Sequence, residues 1–277
     1  MPIFVPDGLN KMISRSIDLI KRWHFIPASL VLSFLLVLGG CGEPEACPEL
    51  VDTNGRPRIA IPAQHQIIGR SVQNRPIVCQ VFGSGPDVVL IMATIHGNEP
   101  AGTPLVRRLA TYLEQHESLL AGRTVVLLPV ANPDGMAANT RRNVHGVDLN
   151  RNFIAQNRVN NTTNGHSALC EPESRVLHDL IEKYRPDRIV SIHQPLACID
   201  YDGPAAGLAM KMGEYCDLPV KRLGARPGSL GSYVGVTLGT PIITFEMLRC
   251  DSNLSDSILW QKYGKALLAA LVYPDVL

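Results

Sequence analysis

Along the chain, short apolar runs alternate with segments of helical period. "RPIVCQVFG" (75–83), "DVVLIMAT" (87–94) and "RTVVLLPV" (123–130) are strand-length runs bounded by Gly, Pro or charged residues. "AGTPLVRRLATYLEQHE" (101–117) instead repeats its apolar positions every three to four residues, which predicts a helix. Further on come helix "PESRVLHDLIEKY", strand "DRIVSIH", a helix near "AAGLAMKMGEYC", strand "TPIITFEM" and a closing helix "DSILWQKYGKALLAALV". This alternation predicts an α/β fold without internal repeats.

The first forty residues follow another pattern. Lys21 and Arg22 precede the apolar run "FIPASLVLSFLLVL", then Gly39, Gly40 and Cys41. A basic region, an apolar region and a small-residue zone in this order predict an export signal. "LGGC" (Leu38 to Cys41) resembles the lipobox of bacterial lipoproteins, which implies lipidation at Cys41 and anchoring to a membrane. Ordinary cleavage or an uncleaved anchor are the alternatives, although the run is short of the ~20 apolar residues of a spanning helix. The basic region is long, so Met12 competes with Met1 as the start. The expected organisation is a lipoprotein-type signal over 1–40, a polar linker over 41–63 and one domain over 64–277.

Composition narrows the function classes. The 277 residues are 45% hydrophobic and 18% charged, enough for one large core. The formal charge is +1, from 26 basic and 25 acidic residues with no basic block, so no nucleic-acid partner is indicated. Removing the signal takes Lys11, Arg15, Lys21 and Arg22 against Asp7 and Asp18, leaving the rest near neutral. Beyond Cys41, six cysteines would meet a compartment that permits disulfides, with no pairing deducible and no CxxC metal spacing.

Chemistry concentrates where apolar runs end. In "ATIHGNEP", His96 and Glu99 follow the strand "DVVLIMAT", and in α/β sheets ligands collect beyond the carboxyl ends of strands. Imidazole nitrogen and carboxylate oxygen suit zinc, and a catalytic zinc takes three protein ligands. His193 ends another strand, whereas His116 and His178 lie on helices and His24 in the signal, so His193 is the best third candidate. Each motif alone also suits an ordinary loop. "ANPDG" (131–135), "RRNVHGVDLNRNF" (141–153) and "TPIITFE", ending at Glu246, add polar segments in a fixed order.

With these motifs the chain resembles the zinc carboxypeptidase family, of the carboxypeptidase A type, from about Gly69 to the C-terminus. The resemblance implies a single domain with a mixed, mostly parallel sheet flanked by helices on both faces. It implies one zinc ion per chain held by His96, Glu99 and His193, with Asp148 orienting a zinc-bound histidine. Asn150 and Arg151 would clamp the substrate's free carboxylate, Arg141 would polarise the scissile carbonyl, and Glu246 would be the general base. Arg142 competes with Arg141. These residue types suit such tasks: a guanidinium matches a carboxylate with two parallel bonds, and a positioned carboxylate shuttles protons.

Some departures narrow the resemblance. Asn98 stands where digestive carboxypeptidases have arginine, His193 is followed by "QPLACIDYDGP", and the mobile tyrosine is absent from its usual place, leaving Tyr233 as a substitute. With "GRSVQNRPI" and "PGSLGSY", the chain looks most like the murein peptide amidase branch, whose members cleave the γ-D-glutamyl to meso-diaminopimelate bond of cell-wall peptides. Asp200 and Asp202 would supply an acid for the diaminopimelate side chain, although "DYDGP" also reads as a turn. The rival expectations are an acyl-amino-acid deacylase of the aspartoacylase and succinylglutamate desuccinylase type, and a non-catalytic wall-binding lipoprotein. Oligomeric state is not encoded in any pattern along the chain.

Overall fold

The structure, a computed structural model, describes residues 63–277. The export signal, Cys41, Cys47 and residues 41–62 of the linker lie outside the described residues. The strands are β1 (Gln64–Arg70), β2 (Pro76–Gly83), β3 (Asp87–Ala93), β4 (Arg123–Leu128), β5 (Arg188–His193), β6 (Leu196–Asp202), β7 (Val220–Lys221) and β8 (Ile242–Leu248). The helices are α1 (Gly102–Gln115), α2 (Pro133–Ala138), α3 (Pro172–Tyr184), α4 (Ala206–Gly213) and α5 (Asp256–Val272). No helix among the described residues is long and apolar enough to cross a membrane.

The strands form one sheet in the order β1-β2-β4-β3-β5-β8-β6-β7. Its centre, β4-β3-β5-β8, is parallel, and β1, β2 and β6 join antiparallel. The parallel strands are covered on both faces, which is why β3 and β5 read as near-continuous apolar runs. On one face Val89, Ile91, Val190, Ile192, Ile243 and Phe245 pack against α1, α4 and α5. On the other, Leu90, Met92, Val126, Ile189 and Ile242 pack against α3 and a π-helical turn over Ser232–Thr237. At the amino ends of the strands, buried Arg188 grips Asp87 with two bonds (2.6 and 3.0 Å) and donates to the α5 carbonyl of Ala270, fastening β5 to β3 and α5.

The predicted strands and helices all form, and two of them, α3 and α5, match the prediction to the residue at both ends. The chain also contains elements that periodicity left unassigned. β1 is an edge strand with mixed exposure, and β6 runs through "LACIDYD", taking in Asp200, Tyr201 and Asp202 of the "DYDGP" stretch that also reads as a turn. Pairing of β6 with β8 places Asp200 opposite Thr244 and Asp202 opposite Ile242. The five described cysteines, Cys79, Cys170, Cys198, Cys216 and Cys250, are unpaired thiols.

Candidate active site

The cleft grows out of strand parity. Side chains alternate across a sheet, and residues in register on neighbouring strands share a face. Ser191 is in register with Thr244 and His193 with Glu246, and Glu246 with Cys198 on the far side. Three adjacent strands therefore carry Ser191, His193, Thr244, Glu246, Asp200 and Asp202 on one face, continuing the plane that is apolar at Ile189 and Ile242. All six line a cleft of about 330 Å³.

The loop after β3 delivers His96 and Glu99 to the same cleft. It is held by the "ANPDG" segment, where Asn132 donates to the Ile95 carbonyl and accepts from Gly135 N–H as the cap of α2. Gly97 lies flat on Gly135: a Cβ on Gly97 would sit 1.9 Å from the Gly135 carbonyl carbon. Asp134 is buried and accepts from Ser71 Oγ, Gln73 N–H and Arg75, tying the "GRSVQNRPI" hairpin to α2.

His96, Glu99 and His193 are all buried, and their ligand atoms lie within 4.8 Å of one another. His96 Nδ1 is 3.0 Å from Glu99 Oε1 and 3.2 Å from His193 Nδ1, which is 3.0 Å from Glu99 Oε2. His96 Nε2 donates to Asp148 Oδ1 at 2.9 Å, and His193 Nε2 meets Ser191 Oγ at 3.0 Å. Outward bonds at both Nε2 atoms direct two Nδ1 lone pairs and a carboxylate to one point. Three electron-pair donors converging in a buried place repel one another unless a proton or a metal cation lies between them, and two imidazoles with one carboxylate suit zinc. The residues present fit that metal.

The charges around this trio are strongly coupled. Burial opposes the charged form of His96, yet hydrogen bonds to Asp148 and Glu99 hold its pKa above the ordinary imidazole value. Burial alone would raise Glu99 and Asp148, but bonds from the histidines pull both well below the usual carboxylate range. Glu246 is different. Burial pushes its carboxyl up against the opposing pull of His193 and the Leu196 N–H, which donates to Oε2 at 3.2 Å.

The segment 141–153 supplies the cationic wall. Arg141 donates through Nε to Asp148 Oδ2 (3.1 Å) and through Nη1 to Glu99 Oε1 (2.8 Å) and lines the cleft; Arg142 does not line it. Asn150 Oδ1 accepts from Leu230 N–H at 2.8 Å, which fixes its amide, and Asn150 and Arg151 both line the cleft. Asn143 anchors the segment from beneath by donating to Glu171 and Glu173.

The cleft thus collects His96, Glu99, His193, Arg141, Asn150, Arg151, Asp200, Asp202 and Glu246, with Asp148 behind His96. Tyr233 is not brought there. It is 3% exposed, its ring stacks on Phe153, and its hydroxyl donates to Glu182 of α3 at 2.8 Å, because the π-helical turn that carries it packs into the core. The substrate contact expected of Tyr233 is therefore corrected to a core contact. Two cleft residues carried no signal in the sequence. Gln194 bonds Ala101 N–H, the Leu248 carbonyl and Ser252, so it clasps together the loop bearing Glu99 and the carboxyl ends of β5 and β8. Arg226 sits in an aperiodic loop, "KRLGARPGSL", where nothing distinguishes it from a solvated charge.

The zinc carboxypeptidase family profile matches residues 61–202. Murein peptide amidase A of Escherichia coli (strain K12) is 31% identical over 204 residues, covering 64% of this chain and 80% of that protein. Murein peptide amidase A of Vibrio campbellii is 30% identical over 234 residues, covering 75% and 88%. The crystal structure of murein-tripeptide amidase MpaA from Escherichia coli O157 superposes with a TM-score of 0.61 at 26% identity, over 78% of this chain and 95% of that one. Carboxypeptidase A from Helicoverpa armigera gives 0.62 at 21% identity, over 77% and 70%, a likeness of fold alone. Neither the deacylase nor the non-catalytic expectation is favoured by these likenesses.

Proposed function

Since the chain belongs to the zinc carboxypeptidase family, a family of peptide-bond hydrolases, we propose that it hydrolyses the γ-D-glutamyl to meso-diaminopimelate bond of murein peptides. The observation that carries this reading is the convergence of His96, Glu99 and His193 in one cleft with Glu246, Arg141 and Arg151. In this proposal the trio holds one zinc ion per chain, and Asp148 fixes the His96 ring. Zinc, when bound, supplies a Lewis acid for the scissile carbonyl and lowers the pKa of water. Glu246, steadied by the Leu196 N–H, takes the proton of the attacking water and passes it to the leaving amine. Arg141 donates to the carbonyl oxygen as negative charge develops on it. Arg151 and the Asn150 amide hold the free carboxylate of the residue to be released.

Incubation with the tripeptide L-alanyl-γ-D-glutamyl-meso-diaminopimelate tests this. Mass spectrometry should find the L-alanyl-D-glutamate dipeptide and free diaminopimelate, and dialysis against a zinc chelator should abolish both. An intact tripeptide under full zinc occupancy would overturn the reading, and equal cleavage of a carboxyl-amidated tripeptide would remove the clamp from it.

The proposal extends to location. The signal-like 1–40 segment and Cys41 support export, a lipid anchor in a membrane, and a linker to residue 63 that lets the domain reach the wall. Cys41→Ser should abolish lipid attachment. A mature N-terminus that begins elsewhere and bears no lipid would refute the anchor without touching the peptidase reading.

A further inference from the structure

Two charged side chains in the cleft are left without a task by the chemistry so far. Asp202 is 7% exposed, yet its carboxylate makes no hydrogen bond and no ion pair among the described residues. Burying an unpaired carboxylate is costly, so such a group is kept where a ligand supplies the partner. Room for it is secured by Gly231, where a Cβ would fall 2.2 Å from Asp202 Oδ2. Arg222 is the nearby cation on the adjoining segment, but its guanidinium lies over the Tyr201 ring at 5.8 Å and does not line the cleft.

Asp200, on the same face of β6, is already occupied. Its Oδ1 accepts the N–H groups of Tyr201 (2.9 Å) and Leu223 (2.7 Å), stapling the segment after β7 across the cleft. That stapled segment carries Arg226, whose exposed guanidinium lines the cleft and makes no hydrogen bond or ion pair among the described residues. Arg226 lies close enough for its charge to act on both Asp200 and Arg151. An unpaired acid in the buried part of a cleft and an unpaired guanidinium on its exposed side are complementary to one group bearing both an ammonium and a carboxylate.

Resting on the peptidase reading above, we infer that Asp202 and Arg226 form the pocket for the released residue's side chain, and that this side chain ends in a paired ammonium and carboxylate. The ammonium goes to Asp202 and the carboxylate to Arg226, while Arg151 takes the main-chain carboxylate. Asp200 is then a positioning residue that aims Arg226 through Leu223, and not itself the ammonium contact.

Three tripeptides that differ only in the last residue test this: meso-diaminopimelate (both charges), lysine (ammonium only) and norleucine (neither). Loss of one charged hydrogen bond corresponds to about 10-fold or more in kcat/KM, so the wild type should rank them in that order by steps of this size. Arg226→Gln should collapse the diaminopimelate-to-lysine ratio at least ~10-fold and leave the lysine-to-norleucine ratio standing. Asp202→Asn should collapse the lysine-to-norleucine ratio. Asp200→Asn should lower the diaminopimelate-to-lysine ratio through KM. Circular dichroism of each variant establishes that it is folded, and Arg226→Gln, being exposed, keeps the test open should a β6 variant fail to fold. Turnover of all three tripeptides with ratios unmoved by Arg226→Gln would overturn the pocket alone. Turnover of none by zinc-loaded wild type would overturn the peptidase reading, and the pocket with it.

Discussion

Phe245 and Glu246 are neighbours on β8, and the sheet sends them to opposite worlds. Phe245 joins a face on which the apolar residues of β3, β5 and β8 continue under α1, α4 and α5. Glu246 joins a face that is apolar under α3 and the π-helical turn, then turns polar at Ser191, His193 and Thr244 where no helix covers it. On the covered face the buried charge of Arg188 is neutralised by Asp87 at the amino ends of the strands, and the side chains beyond it are apolar and sealed by helix. The half-covered face holds charges because each is bonded to another or open to the cleft. Apolar packing fills one face and part of the other, and the chemistry sits at the uncovered end of the second, within the same strands.

Substitutions on the two faces should therefore fail differently. The largest effect is expected at His193→Ala, which should lose zinc and activity together, measured by metal content and tripeptide turnover. Full zinc occupancy in that variant would remove His193 from the ligand set. Glu246→Gln should keep its zinc and lose about 10²- to 10⁴-fold in kcat; retention of more than about a tenth of wild-type kcat would exclude the general-base role. Asp148→Asn, acting through His96, should weaken zinc affinity by about 10- to 100-fold.

Phe245→Ala sharpens the contrast from the other side. Chemical denaturation should show a loss of about 3–5 kcal/mol, with kcat per folded molecule nearly unchanged. A kcat loss like that of Glu246→Gln would mean that the two faces are not independent.

The smallest effect is a pH dependence. Burial, followed by the neighbouring Asp200 and against the pull of Arg222, pushes Asp202 up to about 6. Because the charged form must meet an ammonium, the lysine-to-norleucine ratio of kcat/KM should rise as pH increases through about 6 and level off above it. The ratio cancels the ionisation of Glu246, which acts on both substrates, and Asp202→Asn should flatten it. A ratio that falls with rising pH would contradict an ammonium contact at Asp202.

Much of this was legible along the chain. The central strands and long helices follow from apolar runs and helical period, and the trio with Glu246 was marked by acids and imidazoles placed just where apolar runs stop. β6 was not, because "LACIDYD" has polar residues at alternate positions near a Gly, a pattern shared by turns and half-buried strands, and only pairing with β8 decides between them. The choice of Arg141 over Arg142 likewise needed the positions of Asp148 and Glu99.

The sequence by itself determined which chemical groups the protein has and which segments carry them, since periodicity and motif order are local properties of the chain. Only the tertiary structure decided which groups meet. It withdrew Tyr233 into the core through its bond to Glu182, committed Asp200 to Leu223, and left Asp202 and Arg226 in one cleft without a partner among the described residues. Partnership between residues far apart in sequence depends on strand register and on which face a helix covers, and neither is written in any single segment.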